Sequence, residues 1–146
     1  MKTHPLALLT AVLLLAFAAS AETVEVVIEG NDTMQFNKKA FTVTAGDTVK
    51  LTFKNTGNLP KVAMGHNVLV LAKGVAPSAL AGPAAGAAAT EYIPASMKEK
   101  ILAHTKLLGP GESDTITFTA PEAGSYYYMC SFPGHFALMN GVMTVK

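Results

Sequence analysis

The sequence predicts an all-β fold, a Greek-key β-sandwich or barrel carrying one short helical flap. Three observations lead there. Short runs with period-two apolar alternation recur along the chain, each about the length of a half-buried strand. Turn-forming clusters, TAGD, NTGN, GPGES and APEAG, divide them. One stretch, from Ala76 to Thr90, drops the alternation for alanine and glycine. Many short strands punctuated in this way fit two packed sheets with Greek-key connections.

Taken in order, the first 21 residues read as a cleavable export signal. Lys2 supplies a short basic start, an apolar run spans Leu6 to Ala18, and Ala19-Ser20-Ala21 gives a small-residue exit. An uncleaved anchor is the competing reading, and the clean exit weighs against it. Residues 22–146 then form one domain, beginning near Glu22, without Lys2 and His4. In ETVEVVIEG, Val24, Val26 and Ile28 share one face. TVKLTFKNTG alternates more cleanly, with Val49, Leu51 and Phe53 opposed to Lys50, Thr52 and Lys54. Further strands are expected at AFTVT, HNVLVL, LAHTKL, DTITFTA, SYYYMC and GVMTVK. In the Ala76–Thr90 flap, Pro77-Ser78-Ala79 opens a short helix that Gly82-Pro83 is expected to interrupt. The flap is read as a helical turn or two packed outside the barrel, with a flexible linker as the alternative.

From Glu22 to Lys146, ten lysines balance ten acidic residues and there is no arginine. Nucleic-acid binding has no electrostatic footprint in such a chain. Neither a polybasic membrane surface nor membrane insertion is expected, and the domain reads as a monomer.

An exported chain with one cysteine cannot form an internal disulfide. Cys130 must be a reactive thiol, an intermolecular bridge or a metal ligand. Coordination removes the oxidative liability of a free thiol outside the cytosol. In CSFPGHFALM, His135 and Met139 follow Cys130 within ten residues, and His66 opens an apolar strand upstream. Two imidazoles, one thiolate and a weak axial thioether suit a copper ion that passes electrons. Each residue has a plainer reading. A lone histidine such as His66 is more often a core or surface residue, and a methionine such as Met139 often fills core space. The spacing from His135 favours a ligand role for Met139. His104 reads as an exposed strand residue, with adventitious metal binding the alternative.

GNDTMQFN, GNLPKVAMGHN, AHTKLLGPGESDTITF and CSFPGHFALMNG together resemble the azurins of the cupredoxin family over essentially all of residues 22–146. The resemblance implies a type 1 copper site with ligands His66, Cys130 and His135, axial Met139, and the Gly65 carbonyl on the opposite axis. It also implies that the Asn67 side chain ties the ligand loops together, while the Asn67 and Phe132 N–H groups aim at the Cys130 sulfur. Met34, Leu59, Met64, Phe132, Pro133, Ala137 and Leu138 are expected to form an apolar docking patch around His135 for redox partners, cytochromes or a reductase. The chain departs from the family pattern at several positions. Thr23 and Asp47 stand where azurins carry a disulfide, so the stability it would give is expected from packing. Val68 replaces a buried tryptophan, Met129 an aromatic residue before the cysteine, and Asn55 a titrating histidine. The last change predicts a reduction potential nearly flat from about pH 6 to 8.

A soluble periplasmic electron carrier is therefore expected, holding one copper that cycles between Cu(II) and Cu(I). A copper enzyme would need an open coordination position or further histidine-rich motifs. A copper chaperone would need labile, exposed ligands. The ligand spacing here favours neither.

Overall fold

A computed structural model describes residues 21–146, so the export signal expected over residues 1–21 lies outside the described residues except for its last. Among the described residues, eight strands form two sheets. The first sheet has the order β1-β3-β6, comprising Thr23–Gly30, Thr48–Asn55 and Ser113–Thr119. The second has the order β2-β8-β7-β4-β5, comprising Ala40–Val43, Asn140–Val145, Gly124–Met129, Leu69–Leu71 and Ile101–His104. β1 runs parallel to β3 and β2 parallel to β8, while the remaining neighbours are antiparallel. The expected all-β sandwich is what forms, as two open sheets.

The alternating residues do what their period requires. Val49, Leu51 and Phe53 are completely buried, as is Ile28, and they meet Tyr126, Tyr128 and Met143 of the second sheet. Val68 is fully buried in this core, in the place expected for a tryptophan. HNVLVL yields a strand only over Leu69–Leu71, because His66 instead forms an isolated bridge with Leu108.

The flap is helical and packed outside the sandwich as expected, and it departs from expectation at one point. A nine-residue helix, α2 (Pro77–Ala85), continues through Pro83 rather than stopping at Gly82-Pro83. A proline inside a helix costs about 3 kcal/mol through its missing N–H and ring clash. Tertiary burial offsets this, since Leu80 and Ala84 are completely buried. Leu80 packs with Leu69, Leu71 and Met129 on the outer face of the second sheet. The segment is thus a docked helix and not a linker. The same packing turns Met129 away from the inter-sheet core that holds its neighbour Cys130. Among the described residues, no helix is long and apolar enough to cross a membrane.

Candidate metal centre

Two loops at one end of the sandwich carry the donors. β7 ends at Met129, and the following loop returns into β8 after a 3₁₀ turn at His135–Ala137. The Cys130 N–H donates to the Met139 carbonyl at 2.9 Å, and the Met139 N–H to that of His135 at 2.8 Å, so the loop is closed on itself. The other loop follows a short helix, α1 (Lys61–Met64). There His66 exchanges both backbone hydrogen bonds with Leu108, at 3.1 and 2.8 Å. Gly65 is glycine because a Cβ at that position would stand 2.7 Å from the Lys61 carbonyl oxygen and 3.0 Å from Leu107 Cγ.

His66, Cys130 and His135 are brought together, all buried. Their Nδ1 atoms lie 3.2 Å apart, and Cys130 Sγ lies 3.9 Å from that of His66 and 3.6 Å from that of His135. A circle through three points so separated has a radius of about 2.1 Å, within the roughly 2.0–2.3 Å at which nitrogen and thiolate sulfur bind a first-row divalent ion. The donor set therefore fits one small, thiophilic cation. Met139 is fully buried in the same core cluster as Cys130. Its Cε fills the space where Gly30 lacks a side chain.

Electrostatics prepare the nitrogens and hold the sulfur in reserve. Burial lowers the pKa of His66, opposed by the Asn31 backbone and the Asp32 charge. Its Nε2 is buried without a hydrogen-bond partner. Burial, then the neighbouring His66, lowers His135 to about 4. Both rings are neutral near pH 7, with lone pairs available. The Cys130 thiol is pushed up to about 12 by burial, although backbone N–H groups of Asn67 and Phe132 act on the sulfur to favour the thiolate. A cation entering the triangle must displace that proton, so binding and deprotonation are coupled.

Asn67 ties the loops together as expected. Its Oδ1 accepts from the Ser131 N–H at 2.8 Å, and its Nδ2 donates to Ser131 Oγ at 2.8 Å. Asn55 is buried and donates from Nδ2 to the Leu108 carbonyl at 3.0 Å, which makes it a non-titrating crosslink behind His66. His104 is exposed on β5, with Nδ1 3.2 Å from the Thr105 carbonyl oxygen. Leu59, Pro133, Ala137 and Leu138 are exposed, while Met34 and Met64 are half-buried. Phe132 departs from the expected patch, being 9% exposed and packed between the rings of Tyr92 and His135.

The sequence reading passed over Glu91 and Tyr92, although both reach this centre. Glu91 is the only charged residue between Lys73 and Lys98, and that isolation was the available signal.

Comparison with known proteins agrees with the geometry. Residues 22–146 match the family described as copper binding proteins, plastocyanin/azurin family. The chain is 40% identical over 125 residues to an azurin from Alcaligenes faecalis, covering 82% of this chain and 95% of that one. It is 42% identical over 121 residues to outer membrane protein H.8 of Neisseria gonorrhoeae, covering 81% of this chain and 65% of that protein. Among solved structures, a dithionite-reduced auracyanin from Roseiflexus castenholzii superposes with a TM-score of 0.74 at 39% identity, covering 88% of this chain and 99% of that one.

Proposed function

Because the chain belongs to the copper-binding plastocyanin/azurin family, we propose that it is an exported, periplasmic blue copper protein that passes single electrons between redox partners. The observation that carries this reading is the buried triangle of one sulfur and two imidazole nitrogens. His66, Cys130 and His135 would hold the ion, and the Met139 sulfur and the Gly65 carbonyl would complete its donor set. Bound copper supplies a one-electron couple and an intense charge-transfer absorption from the thiolate.

The protein's own part is to keep the donors still. The two loops are locked by the His66–Leu108 and Cys130–Met139 backbone bonds and by the Asn67–Ser131 pair. Donors that move little when the charge changes keep the reorganisation cost small. His66, Cys130 and Met139 are completely buried, which keeps water out and supports transfer rather than substrate turnover, since a catalytic metal needs an open position. The exposed Pro133, Ala137 and Leu138 flank His135 in the same loop, and with Leu59, Met34 and Met64 they would offer an apolar face to a partner.

Repeated reduction and reoxidation of the copper-loaded protein beside a Cu(I) chelator tests the reading. A carrier retains its ion over many cycles and regains its full colour each time. Loss of copper on reduction would point instead to storage or delivery.

A further inference from the structure

The residues directly after the flap reach both ligand-bearing loops. Glu91 and Tyr92 stand in the left-handed region at φ 55° and 63°, which residues other than glycine occupy only when their surroundings hold them there. Those surroundings are the backing of the metal centre. Glu91 Oε2 accepts the Leu107 N–H at 3.1 Å, and the Leu107 side chain closes on Gly65. The Glu91 carbonyl accepts from Asn67 Nδ2 at 3.3 Å. The Tyr92 ring meets Phe132 edge-on with centroids 5.0 Å apart, and Phe132 lies 4.7 Å from the His135 ring. Two consecutive residues directly after the flap thus brace Gly65 and Asn67, on either side of His66, and the ring beside His135.

The geometry points to Glu91 as a positioning residue that latches the flap to the metal centre and holds the Gly65–Asn67 segment in register with the Cys130 loop. It touches none of the donor atoms. The inference rests on reading the triangle as a metal centre, but the brace involves no donor atom and is measurable without a bound ion. Without the carboxylate, the Leu107 N–H loses its acceptor, and nothing on the side chain then holds the left-handed turn against relaxation. The flap would then lift more often from Asn67 and Phe132, and Cys130 would be uncovered more often.

Alkylation of Cys130 in the metal-free protein, in buffer well below any denaturing condition, reads that opening. The visible band and copper hyperfine coupling of the loaded protein read donor placement. Glu91→Ala is expected to label roughly tenfold faster or more, and to shift the hyperfine coupling. Glu91→Gln keeps an acceptor oxygen at the same reach and should restore both towards the parent values. Glu91→Gly removes the acceptor while tolerating the left-handed backbone, and should label as fast as Glu91→Ala. Unchanged labelling and spectrum in Glu91→Ala, even with lower global stability, would make Glu91 a structural residue only and overturn the proposal. Should Glu91→Ala not fold, Glu91→Asp withdraws the carboxylate by one methylene and must show an intermediate rise in labelling, and its absence would overturn the proposal equally. If the parent protein stayed colourless with copper, the electron-carrier reading would fail, while the labelling comparison would still decide the latch.

Discussion

His66 and His135 meet at 3.2 Å in surroundings that keep both rings uncharged, and this makes the metal-free protein sensitive to acid. The folded His135 pKa of about 4 lies below the ordinary 6.5, so between those values the unfolded chain binds more protons than the folded one. Stability from this group is complete above pH 6.5 and is lost as pH falls towards 4, up to about 3 kcal/mol at 1.36 kcal/mol per pKa unit. Thermal melts of the metal-free protein should fall across that window, and a flat profile would contradict the buried, neutral pair. At Met139 the prediction concerns potential. Met139→Leu should keep the colour and raise the potential by about 59 mV for each tenfold loss in preference for the oxidised ion. A lower potential on potentiometric titration would contradict the axial role. Cys130 and His135, with Met139 proposed beside them, were legible as candidate donors because one loop carries them at fixed spacing. His66 was legible only beside that loop, since a lone histidine before a strand carries no such signal. Glu91 was illegible because its role depends on the distant Leu107 and Asn67, which only the folded chain brings to it.

At the scale of elements, β1 is an edge strand whose beginning is held without a covalent link. Where azurins carry a disulfide, stability was expected from packing, but the Asp47 carboxylate makes the connection. One oxygen accepts the Glu22 N–H at 3.2 Å and the other the Thr44 N–H at 2.8 Å. Asp47 is 6% exposed while Glu22 and Thr44 are exposed, so removing the carboxylate loses two charge-assisted hydrogen bonds and leaves both donors to water. Asp47→Ala is expected to cost about 1–3 kcal/mol in urea unfolding and to lower hydrogen-exchange protection first in β1. An unchanged midpoint would return the role to packing alone. The strands themselves were legible from their period, because a two-faced sheet demands alternation. The run of α2 through Pro83 was not, because burial of Leu80 against Leu69 and Leu71 outweighs a local helix-breaking signal. The low-complexity composition around it gave no sign of that docking.

Over the whole molecule, charge is nearly balanced, so long-range steering of partners is weak, and the proposed docking falls to the apolar face near His135. Met64, half-buried at the end of α1, stands directly before Gly65 and His66. Met64→Lys would place like charges face to face when two molecules meet, and should slow electron self-exchange tenfold or more while absorption and potential stay put. An unchanged exchange rate by line-broadening measurements would place the electron port elsewhere. The two open sheets, the docked flap and the crosslinks behind His66 all converge on one end of the sandwich, where they hold one sulfur and two nitrogens around a space of fixed size. Titration of the metal-free protein with Cu(II), followed by visible absorption and paramagnetic resonance, examines that convergence most directly. The expected result is an intense blue band that saturates at one equivalent, absent from a folded Cys130→Ser variant. A colourless complex, a second equivalent needed for saturation, or a Cys130→Ser variant that stays blue would contradict it.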